Sequence, residues 1–411
     1  MENKKNILFI IFDMAKGGAQ RLASNLSLSL AEKFNIYFVL FEKKIDYPYS
    51  GELFVLNSKA TKNYVLKSMR FLKRVRAIKK IKNEIRPDIS VSFLDNSNIF
   101  NILANLWDTK ILNMQIDHST KHLRGFNKKA YNFFIKKYYN NANVITVPSE
   151  YIKYTMIKEF NIKPDIIKTI YNFVDIETIN KQKEESLGSF ENLFKYRKAI
   201  VNMGRLTYQK GQWHLLRAFA KVKELHPNIS LIIMGEGDLK DDLIELSNSL
   251  NLKTYSVWGN KDLDKLHDVY FLGFQKNPFK ILYNSRIFVL SSLWEGFPFV
   301  LLEALACGLP VISSDCFSGP REILAPATDI LNKSNKIEMA EYGILIPEGD
   351  KKQKKYNDPL IKTEVSLIEA MKLLLEDENL YKRYKEQSLK RAKDFDKKEI
   401  MNKWLEIIES N

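Results

Sequence analysis

Two glutamates, Glu295 and Glu303, stand eight positions apart in WEGFPFVLLEALACGLPVISSD, the first in a glycine- and proline-rich turn, the second inside an apolar helical pattern. Pro298 suits the first position of that helix, where its missing N–H would be unpaired anyway. Gly308-Leu309-Pro310 ends it, a C-terminal glycine followed by a proline. A helix start carries free backbone N–H groups and the positive end of the dipole, so it can bind a phosphate. Carboxylates on either side would then accept hydrogen bonds from hydroxyls, a sugar at one and a ribose at the other. Taken alone, the pair reads equally well as a helix-surface residue, Glu303, and a dipole compensation, Glu295. A second motif shifts that balance. GRLTYQKG follows an apolar strand and puts Arg205 and Lys210 at one strand end. Two cations there repel each other unless an anion lies between them. A planar fork and a mobile ammonium together suit a diphosphate.

The elements that must position these residues are legible as short β-rich runs separated by helical patterns. ILFIIF (7–12), IYFVLF (36–41), ISVSFL (89–94), ILNMQI (111–116) and VITVP (144–148) read as strands of a first sheet. AIVNMG (199–204), ISLIIMG (229–235), VYFLGF (269–274), IFVLSS (287–292), PVISS (310–314) and GILIP (343–347) read as strands of a second. Strands alternating with helices imply βαβ units and parallel sheets, with ligands outside the carboxyl ends of the strands. The expected architecture is α/β, two Rossmann-like domains facing each other across a cleft. Its boundaries are 1–175 for a first domain, 176–198 for a charged linker, 199–385 for a second domain, and 386–411 for a closing helix with apolar anchors at Trp404, Leu405 and Ile408.

A chain of 411 residues favours two cores. Its 64 Lys and Arg against 49 Asp and Glu leave a formal charge of +15, which points to anionic partners. Phosphorylated metabolites, nucleic acid and an acidic membrane surface all qualify on charge, but no nucleic-acid-binding module is visible. Cys307 and Cys316 make neither a disulfide framework nor a metal site, and a reducing compartment fits them best. The apolar run 7–12 is of strand length and leads into a glycine turn, so it is read as a strand and not as a signal peptide. No run approaches the ~20 apolar residues of a membrane span, and a cytoplasmic chain is expected.

Taken in order, GRL…QKG, MGEG (234–237) with Gly235, LGF (272–274) with Gly273, and Glu295-x7-Glu303 resemble the motif set of glycosyltransferase family 4, retaining enzymes of the GT-B fold. The resemblance runs over nearly the whole chain and is most specific over 199–350. It implies a nucleotide-sugar donor held mainly by the second domain, an acceptor held by the first, a C-terminal helix (386–411) packing back on the first domain, and no obligatory metal or cofactor. It implies that Gly204, Arg205 and Lys210 line the diphosphate, that Glu303 holds the ribose hydroxyls, and that Glu295 contacts the transferred sugar. Gly296, Phe297, Val300 and Leu301 would complete the sugar and phosphate contacts through the chain after Glu295. In the first domain it gives Gly17 and Gly18 of MAKGGAQRL to donor phosphate or acceptor approach, and leaves Gln20, where the family often has an acidic residue, unassigned. His118 of QIDHSTKH stands where the family commonly has a functional histidine, and would line the catalytic cleft. His122 carries a weaker claim, and Ser149 reads as a helix cap.

The implied reaction moves a hexose or N-acetylhexosamine, from a UDP-sugar first and GDP-mannose next, with retention and same-face attack. The acceptor would be a glycan, linked to a polyprenyl diphosphate, in capsule, O-antigen or protein-glycan assembly. A nucleotide-sugar epimerase on the same fold, or a non-catalytic nucleotide-sugar-binding subunit, is the alternative. The segment 63–87 adds a basic amphipathic helix. Its apolar stripe is expected to face inward, and Lys73, Arg74, Lys79 and Lys80 to face an anionic membrane, with Lys121, Arg124, Lys128, Lys129, Lys136 and Lys137 widening the surface.

Overall fold

The computed structural model describes residues 4–15, 17–57, 64–114, 126–259, 263 and 265–410, with the backbone alone over 64–69 and 126–131. The chain divides into two compact units, residues 1–172 with 398–411, and residues 173–397.

In the first unit the strands are β1 (Asn6–Ile11), β2 (Asn35–Leu40), β3 (Glu52–Val55), β4 (Ile89–Phe93), β5 (Thr109–Asn113), β6 (Val144–Val147) and β7 (Ile167–Thr169). They form one parallel sheet in the order β3-β2-β1-β4-β5-β6-β7. Strand β1 is an almost unbroken apolar run because both of its faces are covered. The helices are α1 (Gly18–Leu30), α2 (Tyr64–Ile85), α3 (Asp95–Leu103), α4 (Phe126–Tyr138) and α5 (Glu150–Phe160). Ile78 and Ile81 of α2 pack with Leu8, Val39 and Phe100. The helix ends where Arg86 turns left-handed, just before Pro87. Ser149 caps α5, its Oγ accepting the Ile152 amide at 3.1 Å.

A buried charge ties α2 to this sheet. Lys82 is fully buried, and its ammonium donates to Asp108 Oδ2 and Asn101 Oδ1 at 2.7 Å each, and to Ser90 Oγ at 3.3 Å. Burial is the main cause that lowers its pKa to about 8, with Asp108 acting in opposition.

The second unit opens with α6 (Ile176–Gln182) and α7 (Glu191–Tyr196). Its strands are β8 (Lys198–Met203), β9 (Ile229–Met234), β10 (Thr254–Ser256), β11 (Val269–Gly273), β12 (Ile287–Leu290), β13 (Val311–Ser314), β14 (Glu338–Met339) and β15 (Ile344–Ile346). The sheet order is β10-β11-β9-β8-β12-β13-β15-β14, parallel except for β14. Its other helices are α8 (Gln212–Leu225), α9 (Lys240–Ser249), α10 (Phe279–Asn284), α11 (Phe299–Ala306), α12 (Pro320–Leu324), α13 (Lys362–Glu376) and α14 (Glu378–Lys393). Trp213, Leu216 and Phe219 of α8 and Leu367, Met371 and Leu374 of α13 share one core with the sheet.

Two boundaries differ from the expectation. Residues 176–198 are not a free linker: Leu193 and Ile179 are buried, and both helices belong to the second unit. The returning segment starts at 398, twelve residues later than expected. Tyr384 and Ala392 of α14 are buried, Tyr384 in the second unit's core, while α15 (Lys397–Glu409) buries Trp404 and Ile408. Among the described residues, no helix is long and apolar enough to cross a membrane.

Candidate active site

The carboxyl ends of β8, β9, β11 and β12, and the helix after β12, carry the residues that the sequence singled out in the second unit. Gly204, Gly235 and Gly273 stand at the ends of three neighbouring strands and are stitched together, the Gly204 amide donating to Met234 O at 2.9 Å and the Gly235 amide to Gly273 O at 2.8 Å. At Gly235, φ is +142° and an added Cβ would lie 2.0 Å from the Gly204 carbonyl oxygen. Only glycine fits there.

From β8 the chain turns through Arg205 and a short 3-10 turn, Tyr208–Lys210, into α8. Lys210 Nζ lies 2.6 Å from Glu295 Oε1. The same oxygen accepts Ser292 Oγ at 2.6 Å, and Ser314 Oγ donates to Ser292 O at 2.5 Å. Lys210 is thus balanced by the first glutamate of the pair. Glu295 is 6% exposed, low enough for a carboxylate to need these partners. Arg205 is exposed, and its guanidinium has no partner among the described residues. Gln209 clamps the two turns together, its Nε2 donating to Trp294 O at 2.9 Å and its carbonyl accepting the Leu293 amide at 2.8 Å.

Helix α11 starts one residue later than expected. Pro298 has an extended backbone and precedes the helix as its cap residue, and Phe299 opens it. The Leu301 amide already donates to Pro298 O at 3.1 Å, whereas the Val300 amide makes no hydrogen bond among the described residues. Of the two amides the sequence suggested for an anion, Val300 is the available one. Phe297 is buried, its ring packed on that of Phe395, and Gly296 is half-buried. Glu303 is 4% exposed, which removes the surface-residue reading. The helix closes with Gly308 N to Leu305 O at 2.9 Å and Leu309 N to Ala304 O at 3.0 Å, the paired bonds of a Schellman end. Burial, then Glu303, raises the Cys307 thiol far above its ordinary range, and burial, then Glu295, does the same to Cys316. Neither thiol is a nucleophile at neutral pH.

In the first unit, Gly17 precedes α1 as its cap residue and Gly18 opens the helix. Gln20 Nε2 donates to Asp13 Oδ1 at 3.2 Å. His118, with Asp117, His122, Lys121 and Arg124, lies outside the described residues, as do the side chains of Lys128 and Lys129. On α2, Lys73, Lys79 and Lys80 are exposed, and Leu72 of the same helix is 55% exposed. Arg74 differs from the expectation. Its guanidinium faces inward, 5.3–5.9 Å from the ring centroids of Phe12, Phe41 and Phe100. Burial, then Arg70, lowers its pKa. Cation–π attraction to three rings holds this arginine on the core, so it is removed from the outward basic face.

Sequence reasoning missed Ser292, Ser314 and Gln209. Only SSLWEG, two hydroxyls just before the first glutamate, hinted at a carboxylate with built-in donors.

A family described as glycosyl transferases group 1 matches residues 185–359, and one described as glycosyltransferase family 4 matches residues 16–178. The chain is 36% identical over 389 residues to an uncharacterised glycosyltransferase of Methanocaldococcus jannaschii, covering 91% of this chain and 92% of that one. It is 29% identical over 396 residues, 95% of either chain, to the N-acetylgalactosamine-N,N'-diacetylbacillosaminyl-diphospho-undecaprenol 4-alpha-N-acetylgalactosaminyltransferase of Campylobacter jejuni. Among solved structures, Anabaena Alr3699/HepE in complex with UDP and glucose superposes with a TM-score of 0.72 at 17% identity, covering 99% of this chain and 100% of that one.

Proposed function

Because this chain belongs to glycosyltransferase family 4 and has the GT-B fold, we propose that this glycosyltransferase moves a hexose or N-acetylhexosamine, with retention, from a nucleotide-diphosphate sugar to a glycan linked to a polyprenyl diphosphate. The donor is a UDP-sugar in the first instance and GDP-mannose in the second. The observation that carries the donor site is the Lys210–Glu295–Ser292 cluster beside the start of α11, with Arg205 exposed on the adjoining turn. The acceptor class is supported by the Campylobacter relative, an enzyme named for transfer onto a diphospho-undecaprenol-linked sugar.

In this reading the breaking bond joins the anomeric carbon to a diphosphate oxygen. Negative charge grows on the departing diphosphate, where Arg205, Lys210 and the Val300 amide act. No metal is required, because these groups meet that charge. Glu295 holds hydroxyls of the transferred sugar, and Glu303 holds those of the ribose. The incoming hydroxyl attacks from the face that the diphosphate leaves. Glu295 and Glu303 are binders and not the acid and nucleophile of a glycosidase. Gly17, Gly18 and His118 belong to the acceptor-side unit of this reading. The exposed lysines of α2 would rest against the anionic membrane that carries the lipid-linked acceptor.

A panel of UDP- and GDP-sugars, screened by thermal stabilisation and followed by transfer onto lipid extract, tests the reading. Glu303→Ala and Arg205→Ala are expected to abolish donor-induced stabilisation. Full donor affinity in both variants would remove the site assignment. Epimerised sugar nucleotide from donor alone would favour the epimerase instead.

A further inference from the structure

The turn that carries Glu295 takes its backbone partners from a loop that the reaction scheme above does not use. The Glu295 amide donates to Phe317 O at 2.7 Å, and the Ser318 amide donates back to Glu295 O at 2.9 Å. Ser318 Oγ donates to Gly296 O at 2.5 Å. An added Cβ at Gly319 would stand 2.9 Å from Pro298 Cδ and 3.1 Å from Phe297 Cα, so the two strands of chain lie in contact. Residues 317–319 therefore clasp residues 295–298 along their length.

The clasp is held from behind by one guanidinium. Arg321 Nε and Nη2 donate to Asp315 Oδ2 at 3.1 and 2.5 Å, and Nη1 and Nη2 donate to Glu338 at 3.1 and 2.8 Å. Thr328 Oγ1 and Ser334 Oγ each accept from it at 3.0 Å. Lys333 completes the charge balance, its ammonium donating to Asp315 O at 2.5 Å and lying 3.2 Å from the Phe317 ring centroid. Asp315 is 1% exposed, and its Oδ1 has no hydrogen-bond partner among the described residues. Its carboxylate thus depends on Arg321 and on the Ser334 amide, 2.6 Å from Oδ2. Removing the guanidinium would leave a buried charge nearly alone, and the loop beginning at Asp315 would shift to rehydrate it.

We infer that Arg321 is a positioning residue for the transferred-sugar carboxylate: through Asp315 and the Phe317–Ser318 clasp it fixes the Glu295 turn, so that Glu295 meets Lys210, Ser292 and the sugar in one geometry. The inference rests on the donor reading above for its last step only. A misplacement of about 1 Å at such a group can cost about a hundredfold in rate, which makes a remote clamp worth keeping.

Two measurements on the full-length chain separate the clamp from the donor reading. In hydrogen exchange without added nucleotide, Arg321→Met is expected to speed exchange of the 293–299 and 315–319 amides by about tenfold or more, while strand β9 keeps its protection. In titrations with UDP, UDP-glucose, UDP-N-acetylgalactosamine and GDP-mannose, the variant is expected to bind UDP within about twofold of wild type but to lose about tenfold of the added affinity that the best sugar supplies. Arg321→Lys, which keeps a cation, should recover part of both. If Arg321→Met does not fold, Ser318→Ala, which removes the hydroxyl that bonds Gly296 O, should give the same pattern at smaller size. Unchanged exchange at 293–299 together with an unchanged sugar increment overturns the inference. Wild-type protein that binds no nucleotide overturns the donor reading, and the exchange arm still decides the clamp.

Discussion

Arg205 and Lys210 stand on one turn yet live in different surroundings, and that difference divides binding from stability. Lys210 and Glu295 have side chains only 13% and 7% exposed, so removing either leaves a charge in a poorly hydrated place. Lys210→Met is expected to cost about 3 kcal/mol in urea unfolding. Combining it with Glu295→Leu should return much of that loss while leaving transfer abolished, since both charges then disappear together. Arg205 has no partner to lose among the described residues. Arg205→Ala is expected to change stability by less than about 0.5 kcal/mol and to remove stabilisation by the donor, read in one pair of melts with and without nucleotide sugar. The types and spacing of Arg205, Lys210, Glu295 and Glu303 were legible in the sequence because the first three lie beside a glycine or a strand end, and Glu303 is a lone carboxylate inside an apolar helical run. The mutual contact of Lys210 and Glu295 was not, since 85 residues separate them. Nor was Ser292, whose hydroxyl has no spacing rule to announce it.

Among the elements, every central strand of both sheets was visible as a short run rich in apolar and β-branched residues, because a parallel strand with both faces covered carries few charged side chains. The four that escaped, β3, β7, β10 and β14, are the edge strands of the two sheets. Their sequences, ELFV, IKT, TYS and EM, are short and partly exposed. Helix α2 was visible by its period, but the inward turn of Arg74 was hidden, because a cation on stacked aromatic rings looks like any other basic residue in a row of them. Lys82 is the other case on the same helix. Lys82→Met leaves Asp108 buried with Ser90 and Lys110 as its remaining side-chain partners, and is expected to cost about 3 kcal/mol. The wild-type lysine has a pKa of about 8, below the ~10.4 of an unfolded chain. Between those values the unfolded chain binds more protons than the native state, so this group adds stability as pH rises through the window and loses it as pH falls back toward 8. Below that it is protonated in both states, and its contribution is constant. Denaturant midpoints from pH 7 to 10, compared between wild type and Lys82→Met, should show this rise in wild type alone.

At the scale of the whole molecule, a formal charge of +15 needs more than a diphosphate to explain it. The exposed lysines of α2 offer one account, because they share the helix with Leu72, an exposed apolar side chain, and basic residues near an anionic surface contribute up to about 1 kcal/mol each. Lys136 and Lys137 on α4 are exposed as well, beside the half-exposed Phe133. Arg74 has to be left out of any test, because reversing it would strike the three phenylalanines beneath it and confuse unfolding with release. The variant Lys73→Glu/Lys79→Glu/Lys80→Glu is therefore the informative one. It reverses three charges on solvent-facing positions and should melt within a few degrees of wild type. On vesicles containing phosphatidylglycerol its partitioning is expected to fall by about a hundredfold or more at low salt, whereas neutral phosphatidylcholine vesicles should distinguish the two proteins little. Raising ionic strength should erase most of the wild-type advantage, as the Debye length shrinks from about 10 Å at 0.1 M salt to about 3 Å at 1 M. Equal partitioning of variant and wild type onto the anionic vesicles would assign the excess charge elsewhere and leave the donor site untouched.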